Sequence, residues 1–217
     1  MIKTLKRQTT MVKEPLVSFY YGTMRSGKTE KLLNDSLDYD RHTVFVLPEE
    51  DTKGVIESRA FSIDDDCKCD FTIIPDIIFG TKHHPEQSAE LFDLIYEDDY
   101  GVDKVVIDEA QFLDPGDVYD IAEACRSTNT KLDAYGLLTD FHGDMFEGSR
   151  EWVNQADESI CIEGQCEFPG CLKNSCYNCM MKQQKSPGSN VVVGDSQYVV
   201  LCPEHRELYK KAGFIEE

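Results

Sequence analysis

Basic residues are scarce: 22 Lys and Arg face 41 Asp and Glu, a formal net charge of -19 over 217 residues. A surface this acidic repels phosphate backbones, which excludes bulk nucleic-acid binding as the first expectation. It leaves room for a single nucleotide, because a loop of backbone N–H groups and one Lys can hold a triphosphate locally. Long apolar runs are missing as well. No window approaches the roughly 20 residues of a membrane span. No apolar run follows Lys3, Lys6, Arg7 and Lys13 that could serve as a signal peptide. A soluble, cytoplasmic protein is expected, with no membrane partner. Internal repeats are absent. What is present is an apolar fraction of 41% with scattered aromatics, enough for one globular domain or one domain plus a small appendage. The nine cysteines include six after residue 160. In a reducing compartment they are not a disulfide framework, so their clustering asks for another explanation.

Apolar periodicity alternates along the chain. Leu16–Tyr21 reads as a strand, Glu30–Tyr39 as a helix with Leu32, Leu33 and Leu37 on one face, and Thr43–Leu47 as a second strand. Pro48–Ser62 reads as a polar loop, and Asp64-Asp-Asp66 as a solvated turn. Phe71–Ile74 is a candidate strand, Glu86–Glu97 a helix, Lys104–Ile107 a strand, Asp117–Ser127 a helix and Lys131–Leu137 a strand. An irregular stretch to Gly148 follows. This alternation predicts an α/β fold with a mostly parallel sheet flanked by helices. After Trp152 short apolar runs alternate with Cys, Gly and Pro, until a last helix over Pro203–Ala212. The expected division is an N-terminal extension (1–15), an ATP-binding α/β domain (16–154) and a small C-terminal lobe (155–217).

Gly22-Thr-Met-Arg-Ser-Gly-Lys-Thr29 satisfies the Walker A pattern and sits where the physics requires, after an apolar strand and before a helix. The candidate phosphate-binding residues are Gly22, Thr23, Met24, Arg25, Ser26, Gly27, Lys28 and Thr29. The glycines let backbone N–H groups wrap around phosphate oxygens, and the helix N-terminus adds partial positive charge. Lys28 is expected at the β- and γ-phosphates of ATP, and the Thr29 hydroxyl on Mg²⁺.

Val105-Val-Ile-Asp108-Glu109 places two carboxylates at the C-terminal end of an apolar strand, where parallel sheets bind ligands. Asp108 is the candidate Mg²⁺ acid. Glu109 is the candidate base, able to take a proton from an attacking hydroxyl or to orient a water. Cys166-x4-Cys171 and Cys202-x2-His205, 31 residues apart from Cys171 to Cys202, match a four-ligand structural Zn²⁺ site. Cys161, Cys176 and Cys179 compete for the same role, and Cys176-x2-Cys179 itself has knuckle spacing. Cys67, Cys69 and Cys125 look like ordinary thiols.

Four motifs in order resemble the type II thymidine kinases. They are the Walker A loop with its internal Met, Val106-Ile-Asp-Glu-Ala-Gln-Phe112, Tyr135-Gly-Leu-Leu-Thr-Asp-Phe-His-Gly-Asp-Met-Phe-Glu-Gly-Ser149, and Val192-Val-Gly-Asp-Ser-Gln-Tyr198 followed by Cys202-x2-His205. The resemblance runs from about Ser18 to His205. It implies a P-loop NTPase-like sheet, a zinc-ribbon-like lobe and a substrate-covering lasso loop. The implied activity is transfer of the ATP γ-phosphoryl to the 5′-hydroxyl of thymidine, with Glu109 as base. Met24, Phe112, Leu137, Phe141 and Phe146 would wall the thymine. Tyr198 and the lasso around Val191, Val192, Val193 and Gly194 would hydrogen-bond it. The resemblance also implies a homotetramer. Asn178 stands where small or apolar side chains commonly approach the 5-methyl group, which opens the way to deoxyuridine. The first zinc knuckle is longer than the family's usual two-residue spacing, and Asp51-Thr-Lys53 stands where the family shows Asp-x-Arg. Two other classes compete: an ATP-driven nucleic-acid remodeller with a helicase-type Asp-Glu-Ala-Gln, and a non-catalytic nucleotide-binding module.

Overall fold

The computed structural model describes residues 16–36, 42–49, 54–64, 67–80, 85–96, 101–182 and 197–216, with the backbone alone over 58–64, 67–72 and 85–88. Its main sheet joins β1 (Val17–Tyr21), β2 (Thr43–Pro48), β5 (Ile77–Phe79), β6 (Lys104–Ile107), β7 (Lys131–Gly136) and β8 (Glu158–Cys161). The order is β5-β2-β6-β7-β1-β8, and every pairing is parallel. Parallel sheets bury both faces, which is why β6 is apolar and buried along its length, the paired Lys104 included. Alternate strand residues feed two cores. Val17, Phe19, Val105, Ile107 and Leu132 pack under α2 (Pro85–Tyr96), α3 (Pro115–Thr128) and α4 (Glu147–Gln155). Tyr20, Val106 and Tyr135 pack under α1 (Lys28–Ser36), through Leu32 and Leu33. Asp114 caps α3, accepting from the Gly116 N–H at 3.2 Å, with Pro115 at the first position. Asn129 ends that helix in the left-handed region, at φ 59°.

The α/β fold expected from the sequence is the one observed, with local differences. A strand, β3 (Ile56–Asp64), begins inside the loop read over Pro48–Ser62 and runs two residues past it, and the strand read at Phe71–Ile74 is the end of β4 (Cys67–Ile73). The two form an antiparallel ribbon outside the main sheet. Ribbon strands can be polar, so the apolar run that marks a sheet strand is missing here. Three-residue β5 is too short to show a period. Helix α4 carries Gly148 and Ser149 and few apolar residues, so propensity argues against it. It is held by Trp152, fully buried, whose Nε1 donates to the Ala110 carbonyl at 3.0 Å. Strand β8, which follows residue 154 in the chain, pairs in parallel with β1 at the edge of the main sheet. Leu37, Asp51–Lys53, Val191–Gly194 and the 1–15 extension lie outside the described residues.

Beyond β8, β9 (Tyr177–Met180) pairs antiparallel with β10 (Tyr198–Leu201), and α5 (Pro203–Lys211) follows. The core of this lobe is small, with Cys166, Cys179, Leu201, Cys202 and Ile215 buried together. Among the described residues no helix is long and apolar enough to cross a membrane.

Candidate active site

The segment after β1 turns tightly into α1. Gly22 has no room for a side chain, since a Cβ there would meet the Ile162 carbonyl and Ser26 Oγ, each at 2.5 Å. Arg25 and Gly27 take positive φ (59° and 88°). Lys28, at the first turn of α1, folds back so that Nζ donates to the Thr23 carbonyl at 2.9 Å. Ser26 Oγ is buried in this turn without a hydrogen-bond partner among the described residues. A concave loop with a buried Lys and an orphaned hydroxyl donor suits a polyanion.

Across from it, β6 ends in the two carboxylates. Thr29 Oγ1 donates to Asp108 Oδ2 at 3.3 Å, joining the loop to the strand end across 79 residues. Burial, then the neighbouring Glu109 charge, pushes the Asp108 carboxyl up to about 7, against the Glu109 N–H, the Lys28 ammonium and the Thr29 hydroxyl. Burial pulls Lys28 down, opposed by Glu109 and Asp108. A divalent cation beside Asp108 and a polyanion beside Lys28 would each reverse the shift, so the donor set fits both.

Glu109 sits in the left-handed region, at φ 49° and ψ 36°, a conformation that costs a non-glycine residue roughly 1–3 kcal/mol. Gln111 stabilises it. Its Nε2 donates to Glu109 Oε2 at 2.7 Å, while its Oε1 accepts from the Leu137 N–H at 2.9 Å. The amide is thereby used at both ends, and the Glu109 carboxylate is fixed to the end of β7. Gln111 lies in the Asp-Glu-Ala-Gln-Phe motif, where only its spacing of two from Glu109 signals this role. Close packing supports this turn. A Cβ on Gly148 would press on the carbonyl oxygens of Leu113 and Gln111, the latter at 2.7 Å. These are backbone atoms and cannot swing away. Gly148→Ala is expected to destabilise the fold by about 1–3 kcal/mol, lowering the melting temperature by roughly 2–10 °C in a chain of this size, measurable by calorimetry.

The expected base-walling residues stand outside both sheet cores. Phe112 is half-exposed and meets Phe146 edge-on, with ring centroids 6.0 Å apart. Phe141 lies 6.3 Å from Tyr198, at the start of β10. Leu137 is joined to the same segment by the Ser149 hydroxyl, which donates to its carbonyl at 2.5 Å. Asp140 Oδ1 accepts from the N–H groups of His142, Gly143 and Asp144 at 2.9–3.0 Å, fixing the turn between Phe141 and Phe146. Asn178 is buried and engaged at both ends of its amide. Oδ1 accepts from the Met24 N–H at 2.8 Å, and Nδ2 donates to the Thr139 carbonyl at 3.3 Å. It therefore joins the phosphate loop to the 135–149 segment.

In the lobe, one ligand atom each from Cys166, Cys171, Cys202 and His205 lies within 4.8 Å of the other three. His205 Nδ1 is 3.3 Å from the Cys202 sulfur and 3.5 Å from that of Cys166. A tetrahedron with metal bonds of about 2.0–2.3 Å has edges of roughly 3.3–3.8 Å, so the spacing fits Zn²⁺. Phe168 stacks on His205 at 3.8 Å and holds its ring. Of the competitors, Cys161 is exposed at the end of β8, Cys176 is exposed, and Cys179 is buried in the lobe core; none joins the group. Cys125 is buried under the main sheet.

The family model described as thymidine kinase matches residues 16–206. The chain belongs to the thymidine kinase family. Its relatives include the thymidine kinase of Enterobacteria phage T4, 30% identical over 204 residues, covering 90% of this chain and 97% of the relative. The thymidine kinase of Zymomonas mobilis is 30% identical over 199 residues, covering 86% and 93%. That of Escherichia coli O157:H7 is 29% identical over 206 residues, covering 89% and 90%. Membership makes this an ATP-dependent nucleoside kinase. The nucleic-acid remodeller finds no support among these relatives. For a thymidine kinase family member the matched span takes in every motif described above, from the phosphate loop to the Cys202–His205 pair.

Proposed function

We propose that this chain transfers the γ-phosphoryl group of ATP to the 5′-hydroxyl of thymidine, with Glu109 as general base. The observation that supports this most is the meeting of Thr29 and Asp108 at 3.3 Å, with Glu109 next in the chain. On this reading a proton acceptor stands beside the triphosphate cradle. Glu109 takes the 5′-hydroxyl proton as the sugar oxygen attacks the γ-phosphorus. The bond from that phosphorus to the β,γ-bridging oxygen breaks, and ADP leaves. Lys28 and the backbone of Gly22–Thr29 hold the phosphates. Thr29 and Asp108 are the residues that would hold Mg²⁺, which supplies positive charge to the phosphate oxygens when bound. Met24, Phe112, Leu137, Phe141 and Phe146 would form the apolar walls of the base site, with Tyr198 and Asn178 at its lobe side. Cys166, Cys171, Cys202 and His205 would hold a structural Zn²⁺ with no open position. We further propose two parts, a nucleotide-binding sheet through Cys161 and a lobe that follows it.

The test is a phosphate-transfer assay with ATP·Mg²⁺ against a panel of nucleosides. Thymidine is expected as the preferred acceptor, with deoxyuridine the next to accept phosphate. ATP hydrolysis stimulated by single-stranded DNA, with no transfer to any nucleoside, would overturn the reading.

A further inference from the structure

Three consecutive residues of the phosphate loop are gripped by the C-terminal lobe. Thr23 Oγ1 shares a 2.6 Å hydrogen bond with Ser175 Oγ. The Met24 N–H donates to Asn178 at 2.8 Å. The Arg25 guanidinium pairs with the Glu167 carboxylate through Nη1, and through Nη2 it donates to the Tyr198 carbonyl at 2.7 Å. Glu167 is itself anchored, since its other carboxylate oxygen accepts from the Val200 N–H at 3.0 Å and its own N–H donates to the Val200 carbonyl at 2.9 Å. Arg25 thus spans 142 residues to reach a carboxylate hydrogen-bonded to the backbone of β10. It does so from a left-handed backbone, at φ 59°, which an arginine keeps only where its surroundings fix it.

We propose that Arg25 is a positioning residue, latching the phosphate loop to the C-terminal lobe through Glu167 and the Tyr198 carbonyl. The proposal rests on the reading of Gly22–Thr29 as the triphosphate cradle. Both side chains are partly exposed, and an exposed ion pair adds little to stability. The consequence is in binding. A loop already held in shape does not have to be ordered when the triphosphate arrives, so losing the latch weakens nucleotide affinity without altering the chemical step. An arginine at this place could instead contact a phosphate directly, and the two roles predict different patterns. A latch needs both ends, so Arg25→Ala and Glu167→Ala should act alike and not add. A direct phosphate contact needs Arg25 alone.

The experiment compares wild type, Arg25→Ala, Glu167→Ala and the double variant, measuring ATP KM, kcat and equilibrium binding of a non-hydrolysable ATP analogue with Mg²⁺. Each single substitution is expected to raise the KM and the analogue Kd roughly 3- to 10-fold, with kcat at saturating ATP within about 2-fold and the double variant no worse than either single. Weakening by Arg25→Ala alone, multiplicative effects, or no effect from either would overturn the latch while leaving the cradle reading intact. A wild-type protein that does not bind the analogue would overturn the cradle reading and the latch with it.

Discussion

Glu109→Gln is expected to lower kcat at least ~10²-fold while leaving the affinity for ATP nearly unchanged. The substitution keeps the shape of the side chain and removes its ability to take a proton, together with the charge that helps to push the Asp108 carboxyl up. The backbone at this position is left-handed whatever the side chain, so the turn into Ala110–Phe112 should survive. On the proposed reading the triphosphate contacts would come from the loop and Lys28, not from this carboxylate, which is why binding and turnover should separate. Steady-state kinetics with thymidine, together with equilibrium binding of a non-hydrolysable ATP analogue, measures both. Turnover at the wild-type rate would remove Glu109 as the base. Gln111 provides a companion observation. Its amide holds the Glu109 carboxylate at 2.7 Å and the Leu137 N–H at 2.9 Å. Gln111→Leu should therefore lower kcat more than it raises the ATP KM.

Removing metal from the lobe is expected to have the second large effect. One zinc per chain should be found by metal analysis, held by Cys166, Cys171, Cys202 and His205. Structural zinc in small domains contributes an apparent binding free energy of about 10–16 kcal/mol, which is folding free energy where no site exists without the fold. Here the apolar alternative is weak: among the described residues the buried cluster holds five, and two of them, Cys166 and Cys202, belong to the candidate ligand group. A core that small does not hold two strands and a helix without a staple. Chelation, or Cys202→Ser, should therefore release β9, β10 and α5 while β1, β6 and β7 stay protected, as read by hydrogen exchange. Activity should fall at the same time, because Ser175, Asn178 and Tyr198 reach the phosphate loop from this lobe. A metal-free preparation with full activity and unchanged exchange would contradict the assignment.

The elements that were legible share a property. β1 and β6 are mostly apolar and buried on both faces, β7 is buried with Leu132, Ala134 and Tyr135 around the paired Asp133, and α1 follows a glycine-rich turn. In each case the signal lies within a few adjacent residues. The elements missed have their reasons elsewhere. Helix α4 depends on one indole reaching the Ala110 carbonyl, 42 residues away. The ribbon of β3 and β4 depends on pairing with each other. Strand β8 takes its place only because β1 offers a free edge to Glu158–Cys161. Within the site, Gln111 stands in a motif that marks no role for it, and Glu167 carries no local mark at all.

By itself the sequence determined the α/β class, the glycine-rich Gly22–Thr29 turn between a strand and a helix, and the carboxylate pair at the end of β6. These are properties of contiguous segments, where spacing alone fixes which backbone groups and side chains stand together. Only the tertiary structure decided which cysteines leave the ligand group, how Gln111 aims Glu109, and that Thr23, Met24 and Arg25 are held from the lobe. Those contacts join residues as far apart as 173 positions. They are set by how the sheet and the lobe pack against each other, a three-dimensional constraint that leaves no periodicity or spacing in the chain to be read.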